Sequence, residues 1–262
     1  MYDISILVPG IRNHRWGALY DSIDKSTSKN WELILSGPYP LPPELTTKNN
    51  IKYIQDFGPP TRCRQRCLIE ATGKWVFYAG DDLTFLPNSI DSAFDKLDTI
   101  NVTKNTVLLG KYTEGKRDNP EMLSDDYYTF QYHDSTRPIQ QLLSYEAWII
   151  MAGLIPTKLL KEIGGWDCQF NVCAAACLDL SLRLQNHGIN LVIHHEPFFH
   201  ADHLLNNEGD HAPIAYSQTH YDMPLLYRIY RDNQWVNRTT IPLDNWKYSP
   251  AIWELRFNQR KI

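Results

Sequence analysis

The sequence has no long hydrophobic run. Its longest nearly uncharged apolar stretch, Ala147 to Pro156, falls far short of the roughly 20 residues that span a bilayer, which excludes a transmembrane helix there. It lacks a basic leader and a cleavage pattern, since Met1-Tyr2-Asp3 leads straight into Ile4-Ser5-Ile6-Leu7-Val8, so a soluble, cytoplasmic protein is expected. It has no excess of positive charge. With 26 Lys and Arg against 30 Asp and Glu, the formal net charge is −4, and nucleic acid is not an expected partner. It has no Gly-x4-Gly-Lys-Ser/Thr phosphate loop, and Pro9-Gly10-Ile11-Arg12 supplies only a single glycine after the first apolar run, which counts against a nucleotidyltransferase. There is no Cys-x2-Cys pair. Cys63, Cys67, Cys168, Cys173 and Cys177 are odd in number, and free buried thiols are expected rather than a disulfide framework or a zinc site. No internal repeat or low-complexity tract interrupts the chain.

What is present is an ordinary globular balance, 43% hydrophobic and 21% charged over 262 residues, enough for one large or two small domains. The first half alternates strand and helix signals. Strands are expected at Ile4–Val8, Trp31–Leu35, Ile51–Ile54, Trp75–Ala79 and Thr106–Leu109. Between them, Trp16, Leu19, Tyr20 and Ile23 have helical spacing. Pro59-Pro60-Thr61 opens a helix that Gly73 closes, and Pro87-Asn88 starts another. This alternation implies βαβ units and a mainly parallel sheet. Residues 111 to 145 are polar, rich in Asp, Tyr and Thr, and without a clean period, so they read as a long loop over a binding face. Further on, a short helix is expected from Pro156-Thr157 to Gly164-Gly165, a helix over Leu178–Leu184, a strand at Asn190–Ile193 and a helix at Met223–Arg231.

The residues that point to chemistry are Asp81 and Asp82, directly after the apolar run Trp75–Ala79. Carboxylates at the carboxyl end of a strand sit where α/β sheets bind ligands. Two adjacent acids repel each other, so a divalent cation bridging them to substrate phosphates is a natural partner. Arg62, Arg64 and Arg66 add a basic helix. Arg62 and Arg66 share a face and Arg64 points elsewhere, and a guanidinium fork suits a diphosphate.

Four segments, in this order, resemble family 2 glycosyltransferases of the GT-A fold. They are Ile4-Ser5-Ile6-Leu7-Val8-Pro9, then Arg64-Gln65-Arg66 with Ala71-Thr72-Gly73-Lys74, then Gly80-Asp81-Asp82-Leu83 with Leu86-Pro87, and finally Ile163-Gly164-Gly165-Trp166-Asp167 followed by Asp179-Leu180-Ser181-Leu182-Arg183. The resemblance implies a GT-A-like, Rossmann-type α/β fold with a mixed, mainly parallel sheet flanked by helices and a C-terminal extension. Residues 1–205 would form the transferase domain, with 1–110 its nucleotide-binding half and 111–205 its acceptor half. Residues 206–262 would pack on it as the extension. It further implies a nucleotide-diphosphate sugar donor, with a UDP-sugar as first choice, and a hydroxyl acceptor of unknown identity, whether glycan, lipid-linked or other. Mn²⁺ or Mg²⁺ would be the cofactor. Peripheral membrane association stays open. By position, Asp82 matches the metal-binding acid and Asp81 its neighbour. His200, after Glu196-Pro197-Phe198-Phe199, matches a third ligand, with His203 as its substitute. Arg64 and the Pro9-Gly10 turn would face the nucleotide.

The chain departs from that pattern in three places. The second strand ends in Ser36-Gly37-Pro38 with no acid, so Asp56 is the candidate contact to base or ribose. The metal motif opens with Gly80. The positions where the family carries its Glu-Asp general base are Ala176 and Cys177. Asp179, about 200° round the helix from Cys177, and Asp167 are the remaining candidates for the base. The alternatives therefore include a donor-binding protein that does not turn over. Tyr127, Tyr128, Tyr132, Tyr145 and Trp148 are candidates to line a sugar cleft in either case.

Overall fold

In the computed structural model of the chain, the described residues are 1–114, 131–133, 147–201, 211–232 and 237–258. The N-terminal half builds β1 (Ile4–Pro9), α1 (Trp16–Ser26), β2 (Trp31–Gly37), β3 (Ile51–Gln55), α2 (Pro60–Glu70) and β4 (Trp75–Tyr78). All four strands pair in parallel, with Ile4 opposite both Trp31 and Trp75, and Leu33 opposite Ile51. The apolar runs of β1, β2 and β4 are nearly unbroken because both faces of these strands are covered, whereas the edge strand β3 is only half-buried. Ile4, Ile6 and Val8 of β1 pack with Trp16, Leu19 and Ile23 of α1, while Leu7 packs on the other face with Cys67 and Leu68 of α2.

The remaining elements are β5 (Leu83–Phe85), α3 (Ser89–Asp98), β6 (Thr106–Glu114), β7 (Gln131–His133), β8 (Gly153–Pro156), α4 (Thr157–Glu162), α5 (Cys173–Asn186) and β9 (Asn190–Ala201). Among the described residues they complete one mixed sheet in the order β3-β2-β1-β4-β8-β6-β9-β5, with β7 on the edge of β6. The mixed α/β sheet expected from the sequence is present. The N-terminal strands are parallel to one another and β6 is parallel to β9, while β8 and β5 join antiparallel. The strand order reverses at β1, which has β2 on one side and β4 on the other. That is the topological switch point, where open α/β sheets bind ligands at the strands' carboxyl ends.

Two elements run longer than their local signals. The strand expected at Asn190–Ile193 continues to Ala201. It passes Pro197 by breaking register against β6 between Leu109 and Lys111 and again between Lys111 and Thr113. Of the loop expected at 111–145, residues 111–114 extend β6 and 131–133 form β7, and the rest lies outside the described residues. The expected helix at 223–231 belongs to a composite of α6 (Ala212–Ser217), a widened turn at Gln218–Asp222, α7 (Met223–Tyr227) and a second widened turn at Arg228–Asp232. Pro224, which has no N–H to give, sits just past the first widened turn. The last helix is α8 (Glu254–Phe257).

The Ala71-Thr72-Gly73 segment acts as a clamp. Buried Glu32 of β2 accepts from the Thr72 N–H and hydroxyl, both at 2.7 Å, and from Ser5 Oγ of β1 at 2.6 Å. A Cβ on Gly73 would come within 2.6 Å of the β1 backbone, so the turn tolerates no side chain there. Burial drives the Glu32 carboxyl upward, but these donors outweigh it and hold it below its usual range.

Asp222 takes the opposite course. Its oxygens accept the N–H groups of Asn171 and Val172 at the entry to α5, yet burial prevails and raises its carboxyl from 3.8 to about 6. The folded chain then keeps a proton that the unfolded chain has already released between about pH 4 and 6. Stability from this group is present below pH 4 and declines as pH rises through 6. Asp222→Asn is expected to remove that decline, worth up to about 3 kcal/mol, and urea unfolding at pH 4, 5 and 6 on both proteins measures it.

Candidate functional site

A cavity of about 390 Å³ opens at the carboxyl ends of β1, β2 and β4. Its floor is the Pro9-Gly10 turn after β1, Ser36-Gly37 at the end of β2, and Ala79-Gly80-Asp81-Asp82 after β4. The backbone turns sit tightly together here. The Gly10 N–H donates to the Ser36 carbonyl at 2.9 Å, and a Cβ on Gly37 would come within 1.9 Å of the Gly10 oxygen. Ser36 Oγ, beside the Cys63 thiol, is buried without a well-formed hydrogen bond.

Asp81 is a positioning residue. Its Oδ2 accepts the N–H groups of Ile11 and Arg12, each at 2.6 Å, and its Oδ1 accepts Arg12 Nη1 at 2.5 Å. Asp82 also lines the cavity, with its Oδ2 3.8 Å from the same Arg12 nitrogen. Arg64 reaches the wall from α2. Its guanidinium lies 4.8 Å from the Tyr78 ring and 5.5 Å from the Trp166 ring, with Nη1 donating to Cys177 Sγ at 3.3 Å and Nη2 to the Ala79 carbonyl at 3.5 Å. Tyr112 of β6 and Phe199 of β9 stack at 5.0 Å and close one side. The C-terminal residues His211, Gln218, Arg256 and Phe257 close another.

The cavity therefore gathers Pro9, Gly10, Arg64, Asp81 and Asp82 from the sequence expectations. The other candidates lie elsewhere. Asp56 is buried outside the lining, with its oxygens taken by the Gly58 N–H, Arg62 Nε and Arg66 Nη1. Arg62 and Arg66 share a helical face and reach the Trp246 ring, so they pin the C-terminal segment onto α2. His200 is likewise absent from the lining. Strand alternation turns Phe199 and Ala201 into the cavity and His200 away from it, where its Nδ1 pairs with Thr113 Oγ1 at 2.9 Å. His203, Tyr127, Tyr128 and Tyr145 lie outside the described residues, as does the Tyr132 side chain, and Trp148 does not line the cavity.

Neither candidate base is exposed to the cavity. Asp179 is 0% exposed, with Oδ2 on Arg183 Nε at 2.7 Å and Oδ1 on Arg238 Nη1 at 2.9 Å and on the Tyr230 hydroxyl at 2.7 Å. Asp167 accepts the Gln169 N–H at 2.9 Å and also pairs with Arg238. Both carboxylates are links in one buried ion network that ties α5 to the Gly164-Gly165-Trp166 turn. Cys177 is fully buried behind Arg64. The cavity-lining thiols of Cys63 and Cys173 are pushed up by burial, to about 12 and about 11, so they stay protonated near neutrality.

A divalent cation would need donors that the described residues do not bring together. Among them, no three His, Cys, Asp or Glu groups converge. Both oxygens of Asp81 are engaged, and a guanidinium already lies against Asp82. The described donor set does not fit Mn²⁺ or Mg²⁺ held between Asp81, Asp82 and His200.

The missed lining residues are Arg12, Tyr112, His211 and Arg256. Arg12 carried a usable signal, since it stands two residues past Gly10, the glycine that follows β1. Arg256 carried none, because nothing local ties α8 to β4. Among the described residues, no helix is long and apolar enough to cross a membrane.

The mixed α/β fold of the chain is similar to that of solved structures of S. aureus TarS. Its solved neighbours include S. aureus TarS 1–349 in complex with UDP, at TM-score 0.56 and 14% identity, covering 77% of this chain and 60% of that one. TarS 1–349 in complex with UDP-GlcNAc matches at TM-score 0.57 and 16% identity, covering 86% of this chain and 64% of that one. The chain thus spans less than two thirds of the length of these structures. No protein-family model and no curated protein matches the sequence.

Proposed function

We propose that the protein binds a nucleotide-diphosphate sugar in this cavity, with a UDP-sugar as first choice, and transfers the sugar to a hydroxyl acceptor, in the manner of family 2 glycosyltransferases. The observation that carries this is the placement of the Asp81-Asp82 pair, Arg12 and Arg64 around one cavity at the topological switch point. The TarS complexes with UDP and UDP-GlcNAc support the choice of nucleotide.

The chemistry follows from the wall. As the glycosidic bond breaks, negative charge builds on the departing diphosphate. Preorganised guanidinium groups facing that charge, in a site shielded from bulk water, lower the barrier most. The tight Gly10–Gly37 contact lets the backbone approach the nucleotide closely, and the aromatic wall of Tyr112 and Phe199 excludes water. Asp82 lines the cavity beside Arg12.

A second reading, a donor-binding protein without turnover, is favoured by one specific observation. The carboxylates at 167 and 179 are locked in ion pairs and the residue at 177 is a buried thiol. Calorimetry with UDP together with a UDP-sugar hydrolysis assay separates the two. Binding with turnover supports the transferase, binding without turnover supports the second reading, and no UDP binding removes both.

A further inference from the structure

We infer that the guanidinium of Arg12 provides the positive charge that the Asp81-Asp82 corner presents to the diphosphate, so that nucleotide-diphosphate binding by this chain does not require a divalent cation. The inference rests on the donor reading above and goes beyond it by naming what meets the phosphates.

Three observations carry it. First, Arg12 is built into its place. Its own N–H and that of Ile11 donate to Asp81 Oδ2 at 2.6 Å, while its Nη1 donates to Asp81 Oδ1 at 2.5 Å. Backbone and side chain are therefore fixed by one carboxylate, with little left to reorganise when a ligand arrives. Second, the same nitrogen lies 3.8 Å from Asp82 Oδ2, so one guanidinium faces both acids. A divalent ion between those acids would meet a like charge within a few ångström. Third, the described lining residues include three guanidinium groups, from Arg12, Arg64 and Arg256, and two carboxylates. That surplus suits an anionic diphosphate, and a guanidinium binds phosphate oxygens through charge-assisted hydrogen bonds of fixed geometry. The carboxylates in this corner position a cation that belongs to the chain.

The test is titration calorimetry of the full chain with UDP, in EDTA and in MnCl₂, on wild type, Arg12→Ala and Arg12→Lys. Wild-type affinity is expected to differ by less than about threefold between the two conditions. Arg12→Ala is expected to bind about 30-fold more weakly in EDTA, the equivalent of one lost charge-assisted contact. Mn²⁺ should recover part of that loss, because the two carboxylates then lack their resident counter-charge. Arg12→Lys is expected to fall between. Rescue by the metal only in the alanine variant is a signature that a purely structural role would not give. Wild type that binds UDP only in MnCl₂ overturns the inference while leaving the donor reading intact. Arg12→Ala that binds UDP in EDTA as tightly as wild type overturns it equally. No UDP binding by wild type in either condition removes the donor reading itself. If Arg12→Ala fails to fold, the wild-type comparison together with Arg12→Lys in EDTA decides the matter.

Discussion

Replacing Asp179 by alanine is expected to destabilise the protein by about 3–5 kcal/mol, the cost of leaving a buried charge unpaired. Asp179 and Arg183 are both 0% exposed, four residues apart on α5, and joined at 2.7 Å. Arg183 also donates to the carbonyls of Ile163 and Gly165, so it cannot swing out to solvent without releasing the Gly164-Gly165 turn. The alanine variant would strand that guanidinium, and it would unpair Arg238 and the Tyr230 hydroxyl at the same time. Burial and the adjacent Asp179 raise the Tyr230 phenol, while for Arg238 the carboxylates of Asp179 and Asp167 outweigh the opposing effect of burial. For a chain of this size the loss corresponds to roughly 6–20 °C in Tm. Thermal and urea unfolding measure it. A variant as stable as wild type, but with lost turnover, would return Asp179 to the chemistry.

The same network shows where sequence reasoning reached and where it stopped. The β1–α1–β2–β3–α2–β4 half was legible because each element declares itself locally. Its strands are apolar runs stopped by Pro, Gly or Asp, and its helices repeat apolar residues at helical spacing. The corner at Asp81 was legible too, since an acid after a buried strand has few places to go. Long-range pairing was not legible. Asp179 and Arg183 stand at i and i+4, a pattern that signals an ion pair as readily as a base, but the third member, Arg238, arrives from 59 residues away. Asp56 was lost to Arg62 and Arg66 in the same fashion. The facing of His200 depends on the two-residue period of its own strand, which could not be phased until β9 was known to run past Pro197.

Asp81→Ala is expected to reduce UDP affinity by about 100-fold or more and to cost about 2–4 kcal/mol of stability, because it removes three hydrogen bonds to one carboxylate. Two of those bonds hold the Ile11 and Arg12 backbone, and the third holds the Arg12 guanidinium. Without them the segment after Gly10 loses the anchor that fixes it over the cavity. Asp82→Ala is expected to change UDP affinity by less than about tenfold, since its Oδ2 lies 3.8 Å from Arg12 Nη1, a looser contact with the guanidinium than the 2.5 Å pair made by Asp81. This order, with Asp81 ahead of Asp82, is the reverse of what a metal motif anchored on Asp82 requires. Calorimetry with UDP in EDTA on the two variants decides between them, and unfolding midpoints separate lost binding from lost fold. If Asp82→Ala proves the more damaging, and its loss appears only when Mn²⁺ is present, then the acid at 82 holds a metal and the corner works through that ion instead of through Arg12.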